Sequence, residues 1–210
     1  MIQPRTAKDI YEMKLLLATR NQDKIREIKS VLKDTKFQFV TINKIAPKVA
    51  LAEEGKTLEA NAGQKAITAM RSTNLPCLAE DTGLEVFALG GKPGVLSARF
   101  AGPAAKYEKN VKKLLNEMRE IPENRRGARF RTIFALAIPE NKLYTFEGVC
   151  PGKIANESKG KNGFGYDSVF IPKGYQRTFG QMALKTKNRI SHRAKALLKV
   201  RIFLNRYFSE

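Results

Sequence analysis

Residues 14–32 read Lys14-Leu15-Leu16-Leu17-Ala18-Thr19-Arg20-Asn21-Gln22-Asp23-Lys24-Ile25-Arg26-Glu27-Ile28-Lys29-Ser30-Val31-Leu32. The apolar run over 14–18 predicts a buried strand. Ile25, Ile28, Val31 and Leu32 then recur at helical spacing, which predicts a helix over 23–32. A strand that runs directly into a helix is the repeating unit of α/β proteins. The junction between them, Thr19 to Lys24, carries chemistry of its own. The first N–H groups of a helix lack partners within it, and its N-terminal end is electropositive, so phosphate is attracted there. Thr19 and Asn21 can hydrogen-bond phosphate oxygens, and Arg20 and Lys24 add charge. The junction has no GxxxxGK[ST] pattern and is not a P-loop. Capping of the helix by Asn21 or Asp23 is the plainer use of the same residues.

The rest of the chain alternates in the same manner. Strands are predicted over 37–42, 77–80, 85–89, 130–138, 142–149 and 168–171, and helices over 57–70, 106–118 and 191–207. Thr57 and Ser191 stand where N-caps belong. Thr82-Gly83 reads as a turn between two short strands, and Gly90-Gly91-Lys92-Pro93-Gly94 as a turn cluster. Pro139-Glu140-Asn141 joins its flanking strands as a hairpin, so the sheet is mixed. Residues 1–12 form a polar extension before a single domain over 13–210.

The chain has 210 residues, 42% of them hydrophobic, which suits a globular domain with one substantial core. No apolar run is long enough for a membrane span, and the N-terminus has no apolar signal segment, so the expected location is cytoplasmic. Cys77 and Cys150 lie in apolar, strand-like settings and read as buried thiols. With one histidine besides, no zinc site can be assembled. The net charge of +19 gives a field that attracts polyanions. The cations are spread along the chain, so the charge reads as a background that collects phosphate compounds rather than as specific nucleic-acid recognition.

Three further stretches carry chemistry. Glu53, Glu54, Glu80 and Asp81 are carboxylates at loop or strand ends in a chain with 20 acidic and 39 basic residues. Such groups suit Mg²⁺, a hard cation that takes oxygen ligands; as solvated turn residues, Glu80 and Asp81 would need no metal. In Gly163-Phe164-Gly165-Tyr166-Asp167 the glycines permit close approach of a ligand and the two rings could stack on a base, or could simply fill core. In 187–193, Lys187-Asn188-Arg189-Ile190-Ser191-His192-Arg193, capping by Ser191 would put His192 and Arg193 in the exposed first turn of the last helix.

Five stretches together resemble the inosine triphosphate pyrophosphatase family, the XTP/dITP diphosphatases: ATRNQDKIREI, EEGKTLEANAGQKA, LAEDTGLEVFALGGKPGVLSARFAG, GFGYDSVFIP and KNRISHRAKAL. They follow the family's order across nearly the whole chain. The resemblance implies an α/β fold of two lobes around a long mixed sheet with flanking helices, with the nucleotide in the cleft between the lobes. It implies a homodimer, a Mg²⁺ requirement, and hydrolysis of non-standard purine nucleoside triphosphates to a monophosphate and pyrophosphate. By position, Thr19, Arg20, Asn21, Gln22, Asp23 and Lys24 would hold the triphosphate, with Lys65 adding charge. Glu53 and Asp81 would bind metal, and Asp81 would also accept a proton. Thr82 stands near the substrate, and Phe164, Gly165, Tyr166, Asp167, Lys187, His192 and Arg193 would line the base and sugar pocket. Ser168 departs from the proline usual after GFGYD, and Lys185-Thr186 from acidic residues before the lysine. These changes bear on loop stiffness and local charge.

Two other readings use the same residues. One is a Maf-type pyrophosphatase for other modified nucleotides, against which the GFGYD loop and the SHR segment speak. The other is a basic RNA-binding protein on the same scaffold, against which the intact acidic pair speaks.

Overall fold

The computed structural model describes residues 13–208, so the extension expected over 1–12 lies outside the described residues. The strands are β1 (Lys14–Leu17), β2 (Gln38–Thr41), β3 (Cys77–Val86), β4 (Pro93–Gly94), β5 (Gly127–Ile138), β6 (Lys142–Ile154) and β7 (Phe170–Pro172). The helices are α1 (Gln22–Leu32), α2 (Ile42–Ile45), α3 (Leu58–Thr73), α4 (Tyr107–Glu117), α5 (Leu184–Ile190) and α6 (His192–Tyr207). The strand order is β2-β1-β3-β5-β6-β7, with β4 beside β3. β1 pairs in parallel with β2 and β3, whereas β3 with β4 and β6 with β7 are antiparallel. The sheet is therefore mixed and the protein α/β.

Local chemistry sets the helix starts. Asn21 caps α1, its side chain accepting from the N–H groups of Asp23 and Lys24. Thr57 caps α3 through the N–H of Ala60. The Ser191 hydroxyl accepts from the N–H of Ala194 at the start of α6. Each such cap contributes about 1 kcal/mol.

The structure corrects the sequence reading at three elements. The two strands expected around Thr82-Gly83 are one continuous strand, β3, and Phe87–Leu89 is a short 3₁₀ turn. Gly83 is there because another backbone passes close by: a Cβ would lie 2.7 Å from the Gly94 carbonyl oxygen of β4. The strand expected over 37–42 ends at Thr41, and Ile42 opens α2. α5 was not anticipated, because LKTKNRI has no apolar stripe to mark a helix.

The chain divides into two compact units. The first holds residues 13–80, Ile133–Phe146 and 197–208. It buries Leu15, Leu16 and Leu17 of β1, Ile28 and Leu32 of α1, and Ala62, Ala66 and Ala69 of α3. The C-terminal part of α6 and the residue after it are fastened here by rings: Tyr144 meets Phe203 at 4.4 Å, and Phe37 meets Phe208 at 5.1 Å. The second unit holds Asp81–Thr132 and Glu147–Ala196. Its core is built on Leu84, Val86, Leu114, Met118, Phe130, Val169, Phe170 and Phe179. Burying one such side chain contributes about 1.5–3 kcal/mol. Arg126, itself buried, donates to the carbonyl oxygens of Met118, Ile121, Ile154 and Ala155, and so ties the end of α4 to the end of β6.

Both cysteines are buried and reduced. Burial pushes the Cys150 thiol up to about 11 and raises Cys77 further, since desolvation disfavours thiolate. Among the described residues no helix is long and apolar enough to cross a membrane.

Candidate active site

In the first unit, the β1–α1 junction holds itself together. Asn21 Oδ1 takes two N–H groups of α1, and Thr19 Oγ1 accepts from the Asn21 N–H at 3.2 Å. Arg20 reaches across to the 46–49 segment, donating to the carbonyls of Pro47 and Val49 at 2.9 and 2.7 Å. The plain capping role of Asn21 is thus realised. An anion at this junction would have to compete for those N–H groups or rely on side chains.

Two lysine–carboxylate pairs stand in the same unit. Lys24 Nζ lies 3.0 Å from Glu80 Oε1, whose side chain is 1% exposed. Lys65 Nζ lies 2.6 Å from Glu53 Oε1, with Lys65 buried and Glu53 about one third exposed. The segment that carries Glu53 is anchored beside this pair, since the Gly55 N–H donates to buried Asn61 one helical turn before Lys65. Both lysines expected to meet phosphate are therefore held near carboxylates. Glu80 and Asp81 are buried, not solvated turn residues.

In the second unit, Asp81 and Thr82 of β3 are joined to β5 through Thr132. The two threonine hydroxyls are 2.5 Å apart, and Thr132 Oγ1 donates to the Asp81 carbonyl at 3.1 Å. Arg193 Nη2 donates to Thr82 Oγ1 at 3.4 Å. The glycine loop is organised by Asp167. Its Oδ2 accepts from the Phe164 N–H at 2.8 Å and from Lys187 Nζ at 2.5 Å, and both charged side chains are almost fully buried. Gly163, at φ +74°, is needed here, because a Cβ would collide with that carboxylate. Phe164 is left with two cations over its ring, Lys187 Nζ at 5.0 Å and Arg193 Cζ at 5.3 Å from the centroid. His192 stacks on Phe130 at 4.5 Å.

Two expectations about this group are corrected. His192 and Arg193 do open the last helix, but they are 2% exposed rather than displayed to solvent. The Phe130 ring of β5 lies against His192, and the Thr82 hydroxyl of β3 and the Phe164 ring of the glycine loop lie against Arg193. Tyr166 does not offer its ring to a ligand either. It is part of the core, its hydroxyl donates to the Ser97 carbonyl at 3.0 Å, and burial raises its pKa well above the ordinary phenol value. Of the two loop aromatics, Phe164 is the one outside the core, with the Tyr107 ring 5.9 Å away. Within the second unit the structure brings together Thr82, Phe164, Asp167, Lys187 and Arg193. Within the first it brings together Lys24 with Glu80 and Lys65 with Glu53. Sequence reading missed Glu80 as the partner of Lys24, and it missed Thr132. Strand alternation was the available signal for Thr132, since period two places it on the inward face with Ala128 and Phe130.

The donor set suits a hard cation. The acidic groups are oxygen donors, and among the described residues no cluster of three or more His, Cys, Asp or Glu is assembled. Mg²⁺ commonly takes one or two carboxylates and completes its shell with water and substrate phosphates, so a dedicated cage is unnecessary.

Residues 15–203 match the Ham1 family. The chain is 44% identical over 196 residues to a dITP/XTP pyrophosphatase of Desulforamulus reducens, covering 93% of this chain and 98% of that protein. It is also 44% identical over 191 residues to a dITP/XTP pyrophosphatase of Porphyromonas gingivalis, covering 91% and 97% respectively. The solved structure of the Staphylococcus aureus Ham1 protein superposes with a TM-score of 0.83 at 35% identity, over 92% of this chain and 99% of that one.

Proposed function

The chain belongs to the Ham1 family, and on that premise we propose that it hydrolyses non-standard purine nucleoside triphosphates (ITP, dITP and XTP) to the monophosphate and pyrophosphate. The observation that carries this reading is the 44% identity, over 93% of this chain, to a dITP/XTP pyrophosphatase. Work on free nucleotides gives it a cytoplasmic role. A homodimer fits the apolar side chains of Phe87 and Leu96, which are more than half exposed on the second unit.

In this reading Glu53 and Asp81 would hold Mg²⁺, which when bound would supply neutralisation of the triphosphate charge. Lys24 and Lys65 turn from their carboxylates to the phosphate oxygens, with Thr19 and Arg20 beside them. Asp81 accepts the proton of the water that attacks between the α- and β-phosphates. Phe164 stacks on the purine, Asp167 and Lys187 hold the loop that carries it, and Arg193 donates to the 6-keto oxygen. Adenine presents a 6-amino donor there and would leave that donor unpaired, which penalises it strongly.

Pyrophosphate release from ITP, XTP, GTP, ATP and modified pyrimidine triphosphates, with Mg²⁺ and with EDTA, tests the assignment. ITP and XTP are expected to be cleaved fastest and EDTA to stop the reaction. A preference for modified pyrimidines would favour the Maf-type reading, and no cleavage of any nucleotide would leave the RNA-binding one. In the same assay Arg193→Ala is expected to lose about ten- to a hundredfold in kcat/KM on ITP and far less on ATP, since only the keto base accepts a charged hydrogen bond. Equal losses on both would move Arg193 from the base to the phosphates.

The net charge of +19 has a separate role in this scheme, the capture of substrate. Added salt should therefore lower kcat/KM, because screening cuts the reach of the field to about 8 Å at physiological ionic strength. The ITP-to-ATP ratio should stay constant. A ratio that collapses with salt would mean that selectivity comes from long-range charge.

A further inference from the structure

Thr132 lies on β5 at the head of the apolar run 133–138, on the inward face with Phe130 and Phe134, and is fully buried. A hydroxyl in such a place is costly unless its bonds are made. Two of them are made to residues proposed for the site: Thr132 Oγ1 donates to the main-chain oxygen of Asp81, and it lies 2.5 Å from Thr82 Oγ1. Thr82 in turn accepts from Arg193.

The donor inventory gives this chain one direction. A carbonyl oxygen can only accept and a guanidinium can only donate, while each threonine hydroxyl has a single proton. If Thr132 gives its proton to the Asp81 carbonyl, it must accept from Thr82. Thr82 then offers lone pairs alone to Arg193. The order that satisfies all three contacts is Arg193 N–H to Thr82, Thr82 O–H to Thr132, and Thr132 O–H to the Asp81 carbonyl. Each hydroxyl that donates becomes a better acceptor, so the links strengthen one another.

We propose that Thr132 is a positioning residue for the pyrophosphatase reaction: its buried hydroxyl fixes the β3 peptide that bears Asp81 and orients the Thr82 hydroxyl that receives Arg193, so that the proton acceptor and the reader of the base are registered by one hydrogen-bonded chain. The proposal rests on the roles given above to Asp81 and Arg193. Thr132 acts through these residues and touches no substrate itself.

Thr132→Val replaces the hydroxyl by a methyl group of similar size. Its expected effect is a fall in kcat on ITP of about five- to tenfold with KM changed less, from a misplaced Asp81. The ITP-to-ATP ratio of kcat/KM should fall as well, because Arg193 loses its set orientation. Thr132→Ser keeps the hydroxyl and should restore both kcat and the ratio, even if its melting temperature is lower. A role in packing alone predicts the opposite ordering, with Val close to wild type and Ser impaired through the lost methyl. If Thr132→Val does not fold, Thr132→Ser and Thr132→Ala carry the test, since both lack that methyl and they differ in the hydroxyl. Equal kcat and equal ratio in those two, or a Val variant within about twofold of wild type, would overturn the proposal. Asp81→Asn and Arg193→Ala are measured alongside. If neither lowers turnover, it is the assignment of the site that fails, whatever Thr132 does.

Discussion

Asp81→Asn is expected to give a folded protein whose turnover of ITP is lower by about 10²–10⁴-fold, the range associated with loss of a positioned general base. The change is nearly isosteric, so packing is preserved. The link to β5 is also preserved, because Thr132 bonds the main-chain oxygen of Asp81 and not its carboxylate. Asparagine can neither accept a proton at neutral pH nor contribute a negative charge toward Mg²⁺, so both proposed roles fail together. Pyrophosphate release at saturating ITP, with circular dichroism and a thermal melt as controls, makes the measurement. Activity near wild type would remove Asp81 from the mechanism as base and as ligand.

The second large effect is on stability. Lys187 and Asp167 form an ion pair with both side chains almost fully buried. Removing one member leaves a charge in a poor solvent, and breaking such a pair typically costs about 3–5 kcal/mol. Asp167→Ala is therefore expected to lower the melting temperature by about 6–20 °C, at roughly 2–4 °C per kcal/mol for a protein of this size. The carboxylate also accepts the Phe164 N–H, so the glycine loop should loosen and activity should fall even well below the melt. Replacing both members with apolar residues, as in Asp167→Leu with Lys187→Met, should cost less than Asp167→Ala alone, because no charge is then stranded. A loss under about 1 kcal/mol for Asp167→Ala would show that solvent reaches Lys187 and screens it.

Much of the fold was legible because its signals are local. The β1–α1 unit, the caps at Thr57 and Ser191, and the hairpin around Pro139-Glu140-Asn141 each depend on residues within one turn of one another. The same holds for the buried thiols, which sit inside apolar runs. What escaped depends on partners far away in the chain. Thr82-Gly83 resembles a turn until β4 is known to press against it, after which Gly83 is a packing requirement within a strand. His192 and Arg193 look like surface residues because polar side chains usually are; their burial follows from Phe130 and Phe164, some 30–60 positions earlier. Tyr166 and Phe164 are two residues apart and indistinguishable by type. The distant Ser97 carbonyl and the surrounding core take the Tyr166 ring inward, while the Phe164 ring meets Lys187 and Arg193 instead. The Lys24–Glu80 and Lys65–Glu53 pairs escaped for the same reason.

The division of the chain bears on how the protein is made. Neither compact unit is one continuous stretch of sequence. The first draws on residues 13–80 but also on the hairpin tip and on the end of α6 and the residue after it, where Phe203 and Phe208 meet Tyr144 and Phe37. During synthesis, the 13–80 part of the first unit must wait for the 197–208 segment to leave the ribosome before its set of contacts is complete. The second unit opens and closes within that interval. A truncated product lacking α6 would thus leave both units incomplete, and a protease cut in one connection should not release either as a stable fragment.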